Sequence, residues 1–382
     1  MQPANSATFA HYFRDLPDPR RSPSCRHAFL DILVVAFCAA VSGQFAWTDI
    51  ELYATIHFDW FKTFLQLPNG VPSHDTFRYV FSRLDPQAFQ RCFADWIVAL
   101  STEADLRHVA IDGKSLRGSA DPANGKAALH LVSAWASHDR LTLGQVATAE
   151  KSTEITAIPK LLEVLSLKGA LVTIDAMGCQ KEIAGQIRAQ EGHYLLGLKG
   201  NHPGLLEEVE QAVLSQLEQG KVGKADCLET AEQSHGRTEK RTYTRIADLS
   251  QVKEKEAWRD LTAVVMAMSE RTVKGKTSTE VRYFLTSYGG GVEELAEVIR
   301  GHWGIENECH WVLDVTFGED RSRKRVEHGA ENVGWLRRMA LSVLRHDPTP
   351  KLNMKQKSLK ALCDHDFLLQ LLFANNGSQK DA

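Results

Sequence analysis

The spacing of apolar and polar positions divides the chain into three textures. From residue 8 to about 104, apolar residues recur at helical intervals or fill whole runs. "FLDILVVAFCAAVSG" is almost wholly apolar and reads as a buried helix stopped by Gly43. "WTDIELYATIHFDWFKTFL" follows, and the turn "LPNGVPS" leads into "HDTFRYVFSRL" with Ser73 as N-cap. Asp85-Pro86 opens the next helix, "DPQAFQRCFADWIVAL", where proline sacrifices no helical hydrogen bond.

From residue 107 short strands and helices alternate. "RHVAID" and "GALVTID" are apolar strands closing on Asp112 and Asp175. "ALHLVSAWA" and "LTLGQVATAE" form a hairpin across "SHDR". "EITAIPKLLEVLSL", "QKEIAGQIRAQ" and "GLLEEVEQAVLSQLEQG" are helical, and "HYLLGLKG" is a strand. This order predicts a mixed sheet flanked by helices. Residues 221–288 carry strand-like runs between charged turns and read as a β-rich insertion. Helices return from "VEELAEVIR" to "EHGAENVGWLRRMALSVLRHD". The expected organisation is an all-helical N-terminal domain (1–104), an α/β domain (105–348) with its insertion, and a C-terminal segment (349–382) holding one helix and a polar end. "VPSHDTFRYVFSRL" fits the second helix of a helix-turn-helix; a small bundle without DNA contact is the other reading.

Composition narrows the class. With 43% hydrophobic and 24% charged residues, the 382-residue chain has the balance of a globular protein. No apolar run approaches the ~18–20 residues of a membrane span, and the first residues lack a signal-peptide pattern. Seven cysteines without a CxxC pair suggest reduced thiols and a cytoplasmic setting. A net charge of −3 argues against a protein that merely coats nucleic acid.

Candidate chemistry begins at "HWGIENECHWVLDV". His302, Glu306, His310 and Asp314 recur every four residues, a polar stripe on an apolar helix. Ligands gather at the carboxyl ends of strands in α/β sheets, where Asp112 and Asp175 stand. Two such carboxylates repel unless a cation lies between them. Hard oxygen donors point to Mg²⁺ or Mn²⁺, and Glu306 supplies a third. Two ions ~4 Å apart suit hydrolysis or transfer at a phosphodiester. Singly, each acid also reads as a cap, turn or solvated helix residue. Zinc on His302, Glu306 and His310 is disfavoured, since i to i+8 spans ~12 Å of helix.

Several motifs together carry a resemblance: "AIDGKSLRGS", "TIDAMGCQ", "LLGLKGNHPGL", "SHGRTEKRTY" and "HWGIENECHWVLDVTFGEDRSRKR…ENVGWLRRMALSVL". Across nearly its whole length the chain resembles ISAs1-family transposases, the H-repeat-associated group within the IS4-like DDE enzymes. The resemblance implies an RNase H-like catalytic core with a β-rich insertion, preceded by a helical domain. It implies a catalytic, metal-binding triad at Asp112, Asp175 and Glu306 that holds Mg²⁺ or Mn²⁺, two ions in the expected form. It also implies double-stranded DNA as substrate, at element ends and target, and a homodimer on that DNA. One departure stands out: Ile299, His302 and Leu313 occupy the positions of the family's usual Tyr, Arg and Lys. Arg300, His302 and His310 are the candidates to replace them. A nuclease without strand transfer would share the same three carboxylates. A non-catalytic DNA-binding derivative is the third reading, which the intact triad disfavours.

Basic residues near these motifs are candidate DNA contacts: Lys114 and Arg117 after Asp112, and Lys199 and Asn201 in "LKGNH". A second set is Arg237 and Arg241, beside His235 and Lys240 in the insertion, and Arg321, Arg323, Lys324 and Arg325 in "RSRKR". Asp314 and Asp320 read as salt-bridge partners.

Overall fold

A computed structural model of the chain describes residues 9–21, 25–100, 108–148, 154–234, 236–347, 349 and 351–373. Its first part is helical: α1 (Phe9–Phe13), α2 (Phe29–Val41), α3 (Trp47–Ile56), α4 (Phe58–Phe61), α5 (His74–Arg83) and α6 (Pro86–Leu100). α2 is buried from Asp31 to Val41, which is why its sequence shows no polar face. Gly43, at φ +79°, turns the chain out of it. Ser73 Oγ accepts from the Thr76 amide at 3.4 Å, the predicted cap of α5. Asp85 Oδ1 accepts from the Gln87 amide at 2.9 Å at the start of α6.

The next elements are β1 (His108–Leu116), β2 (Leu129–Ala136), β3 (Leu141–Thr148), α7 (Glu154–Glu163), β4 (Leu171–Ile174), α8 (Lys181–Ala189), β5 (His193–Leu198) and α9 (Pro203–Glu218). The insertion supplies β6 (Cys227–Ser234), β7 (Arg237–Ile246), β8 (Ala263–Val273) and β9 (Lys276–Thr286). All nine strands form one sheet in the order β3-β2-β1-β4-β5-β9-β8-β7-β6. β1, β4 and β5 run parallel, and β9 joins β5 antiparallel, so the insertion continues the core sheet.

Strand lengths shape the sheet's carboxyl edge. β4 stops at Ile174, beside Ile111. β1 and β2 run on together to Leu116 and Leu129. β9 pairs with β5 only from Tyr283 to Thr286, and its other half extends with β8 past the end of β5 to the Val273–Lys276 turn. The short β4 thus lies at the floor between two overhanging arms.

Alternation assigns the faces. Val109, Ile111, Val172 and Ile174 pack with α7, α8 and α9. On the other face, Leu171, Leu195, Tyr243 and Val265 pack against α10 (Val292–His302). A π turn (Ile305–His310) and α11 (Trp311–Val315) continue along that face. α12 (Gly329–His346) is buried along nearly its whole length and packs on α2, α5 and α6.

The C-terminal segment carries two helices where one was expected, α13 (Met354–Cys363) and α14 (His365–Leu372). Both complete the N-terminal helical core: the His365 ring stacks on Trp60 at 4.4 Å, and Ala361, Phe367 and Leu368 join the cluster around α2 and α12. Lys357 Nζ caps the end of α12, donating to the Leu344 and Asp347 carbonyls at 2.9 and 2.6 Å. The domain boundary near 104 and the polar end after 373 lie outside the described residues, as does His235. No described helix is long and apolar enough to cross a membrane. All seven cysteines are free thiols.

Candidate active site

Asp112 and Asp175 each stand one residue beyond the last parallel pair, Ile111 and Ile174, of adjacent strands. Asp112 is not the end of its strand, as the apolar run suggested; β1 continues, with Asp112 opposite Ser133 of β2. Asp175 leaves β4 and caps a 3-10 turn, its Oδ1 accepting from the Met177 amide at 3.0 Å. By alternation Asp112 shares the face of Ala110, and Asp175 that of Thr173, the face covered by α10 and the π turn.

The polar stripe on that cover docks on the sheet. His302 Nδ1 lies 2.9 Å from Thr173 Oγ1 on β4, which His108 Nε2 also reaches at 2.8 Å. His310 Nδ1 lies 3.5 Å from Asp112 Oδ2 on β1. Asp314 pairs with Lys114, further along β1. Glu306 is held between the His302 and His310 anchors and stays exposed. Its backbone is a π turn, a local widening of the helix that is often found at functional sites.

The electrostatics single out Asp112. Burial pushes its carboxyl up to about 7, and the charges of Asp175, Glu154 and Glu306 push the same way against a hydrogen bond from Gly113. His310 offers no balancing charge, because burial, with Arg338 and Lys114 nearby, holds its pKa down to about 3. Burial likewise lowers His302 to about 4, against the pull of Asp175. Asp112 is thus a carboxyl whose charged neighbours are other carboxylates, with no charged cation paired to it among the described residues. That donor set fits a hard divalent cation. Among the described residues no three His, Cys, Asp or Glu side chains converge as a ready-made cage.

Glu154 escaped the sequence reading. It occupies the first position of α7's apolar stripe, ahead of Ala157, Ile158, Leu161 and Leu162, and that was the available signal. Its Oε1 lies 2.5 Å from His130 Nε2, and His130 Nδ1 lies 2.9 Å from Ser115 Oγ. A Cβ on Gly113 would collide with both the buried Glu154 carboxylate and the His130 ring, so a larger residue beside Asp112 must push these side chains aside. Arg282 and Trp303 were also missed; with Lys199 they line the opening beside Asp175, the guanidinium 4.7 Å from the indole ring centre.

The predicted basic residues divide. Lys199 is exposed next to Asp175. Lys114 is not available as a DNA contact. Its side chain is 10% exposed, and its ammonium sits among Asp314, Glu319 at 2.8 Å and Asp320 at 4.0 Å. Glu319, fully buried, is held to Arg338 at 2.7 Å in the same network, so Lys114 fastens β1 to the segment after α11. Asn201 Nδ2 donates to the Ala176 carbonyl at 2.7 Å, and His202 Nε2 lies 2.6 Å from the Cys179 carbonyl. The "LKGNH" loop therefore clamps the turn that carries Asp175. Arg117 is exposed, 3.6 Å from Asp320. Arg241 is paired with Glu239 at 2.7 Å and Glu232 at 3.4 Å, and Arg300 also holds Glu232. Arg237 stands seven residues past the β5–β9 pairing on the insertion arm, about 24 Å along the strands from the carboxyl edge. Arg321 and Arg323 are exposed, Lys324 sits over the Trp47 ring at 4.7 Å, and Arg325 approaches Asp121 at 3.5 Å. Ile299 and Leu313 are buried apolar residues.

Comparison with known proteins bears on the family. Residues 103–343 match the family model described as "Transposase DDE domain", and residues 10–97 match the model described as "DDE_Tnp_1-associated". The Escherichia coli K12 protein named "H repeat-associated putative transposase YhhI" is 36% identical over 94% of this chain and 95% of its own length. "Putative transposase YncI" of Escherichia coli O157:H7 is 38% identical over 94% of this chain and 93% of its own. Among solved structures, a piggyBac transposase synaptic complex with hairpin DNA aligns at 11% identity and a TM-score of 0.42, covering 98% of this chain and 79% of that one. With two family models matched in order and relatives aligned almost end to end, the chain belongs to the IS4-like DDE transposase family.

Proposed function

We propose that the protein is an insertion-sequence transposase that cuts DNA strands at its element's ends and joins the freed 3′-hydroxyls to target DNA. The observation that carries this reading is Asp112. It stands in register with Asp175, and its proton affinity is raised by burial and by the charges of Asp175, Glu154 and Glu306. Asp112, Asp175 and Glu306 would hold Mg²⁺ or Mn²⁺, two ions in the expected form. Bound there, the ions would activate water or a 3′-hydroxyl and stabilise the leaving oxygen. The carboxylates must draw together when the ions and DNA enter. His302 and His310, anchored on β4 and β1, hold the Glu306 turn over that point, and Asn201 keeps the Asp175 turn in shape.

Duplex DNA would lie across the carboxyl edge between the two arms. Lys199, Arg117, Arg237 and Arg241, with Arg321, Arg323, Lys324 and Arg325, are the candidate backbone contacts. A homodimer acting on two ends, in the bacterial cytoplasm, completes the reading. The test uses purified protein, Mg²⁺ and short duplexes ending in the element's terminal repeats, either intact or already cleaved. Transfer of pre-cleaved ends supports a transposase, and cutting without transfer reduces the protein to a nuclease. Asp175→Asn should bind the duplex and cut nothing; undiminished cutting would remove Asp175 from the chemistry.

A further inference from the structure

The N-terminal helical layer and the "RSRKR" segment enclose an open cleft of about 700 Å³ between α5 and the loop after α11. Six cations line it: Arg78 from α5, Arg321, Arg323, Lys324 and Arg325 from the loop, and Arg337 from α12. Asp49 is the sole carboxylate among its lining residues. Arg78 lies 3.5 Å from Asp75 and Arg325 lies 3.5 Å from Asp121, whereas among the described residues Arg321, Arg323 and Lys324 have no carboxylate partner. Lys324 rests instead on the Trp47 ring, and burial, with Arg337 nearby, lowers its pKa to about 7 against the pull of Asp49. Arg337 is 3% exposed and holds the Phe317 carbonyl through Nε at 3.2 Å, with its guanidinium 4.7 Å from the Phe45 ring centre. Lys324 and Arg337 are desolvated, with Asp49 near the first and Glu319 and Asp314 near the second, while Arg321 and Arg323 stand exposed; an anion entering the cleft adds counter-charge for all four.

The cleft is tied to the catalytic edge. The overhanging end of β1 runs from Asp112 to Leu116, and Gly118 just beyond packs so tightly against the Asp320 and Ser322 carbonyls that no side chain fits. Four residues of extended chain and the two further residues to Gly118, in a 3-10 turn (Arg117–Ser119), span about 17 Å, so the cleft beyond begins roughly five base pairs away. We propose that this cleft is a second DNA-backbone site, which grips phosphates of the duplex five or six base pairs from the scissile position. α5 forms its one wall and the "RSRKR" loop the other. The inference rests on DNA being the substrate. It also gives α5 a role other than that of a groove-reading helix: α5 helps hold phosphates.

The experiment measures binding of the full chain to a labelled 30-base-pair duplex by fluorescence anisotropy at several NaCl concentrations. The variants are Arg78→Ala/Arg323→Ala/Lys324→Ala and, as a pair that touches no packed side chain, Arg321→Ala/Arg323→Ala. For the triple variant we expect at least tenfold weaker binding at 150 mM salt, and a log–log salt slope shallower by about two to three. The double variant should show about two thirds of that slope change. Ethylation interference at the phosphates five to six base pairs from the cut, present with wild type, should vanish with both variants. Wild-type affinity and slope in both variants overturn the cleft while leaving the transposase reading intact. A wild-type protein that binds no duplex overturns the transposase reading itself. If the triple variant fails to fold, the double variant and its interference pattern decide the matter.

Discussion

Replacing Asp112 by Asn should make the protein more stable and inactive at once. A carboxyl raised from 3.8 to about 7 holds its proton more tightly folded than unfolded. Folding stability therefore falls as pH rises from about 4 to about 7, and the full cost of the charged form remains above pH 7. At about 1.4 kcal/mol per factor of ten in proton affinity, that cost is at most about 4 kcal/mol. The side chain is 30% exposed, so solvent screening reduces the figure, and about 2 kcal/mol is the working value. Asparagine keeps the shape and removes the charge. For a chain of this length, about 2 kcal/mol moves the melting midpoint by roughly 2–3 °C. The assay is thermal unfolding by circular dichroism in EDTA, wild type against Asp112→Asn, at pH 8 and pH 5. The gain should be largest at pH 8 and fall to less than half at pH 5, where wild-type Asp112 is already protonated. Adding 10 mM Mg²⁺ at pH 8 should raise the wild-type midpoint and leave the variant's unchanged, since an ion bound only to the folded form stabilises it. A variant midpoint equal to or below wild type at pH 8, or a gain independent of pH, would refute the reasoning.

Three further outcomes follow from particular contacts. Gly113→Ala drives a methyl into Glu154 and His130, so it should displace Asp112 and lower cleavage at least a hundredfold while duplex affinity stays within twofold; normal cleavage would show that the strand adapts without cost. Lys357→Met removes the cap on α12 and leaves Asp347 buried and unpaired, and should cost about 3–5 kcal/mol by urea unfolding; a loss below 1 kcal/mol would place that ion pair among the negligible ones. Lys324, at about 7 in the free protein, must be protonated to hold a phosphate, so duplex affinity should fall roughly fivefold from pH 7 to pH 8. Lys324→Arg, charged throughout, should flatten that profile against the same Arg337 and Asp49 surroundings, and an unchanged slope would acquit Lys324.

Much of this molecule is written in local patterns. The all-apolar α2, the Ser73 and Asp85 caps, the strands leading into Asp112 and Asp175, and the four-residue stripe all follow from backbone periodicity and capping chemistry acting over a few residues. The stripe even names its anchors, since His302, His310 and Asp314 each dock on the sheet. What lay beyond reach depends on which distant segments the sheet order makes neighbours. Lys114 reads as a free cation until packing brings Asp314 and Glu319 against it from about 200 residues away. Glu154 reads as one more helix residue until α7 lies under Gly113, and Asn201 as a DNA contact until its loop meets the Ala176 carbonyl. The helical N-terminal region looks self-contained, yet α12, α13 and α14 supply part of its core. Periodicity reports only what a segment buries. The charge that a side chain meets there, and hence whether it is a ligand, a clamp or a strut, is set by long-range pairing that carries no local signature.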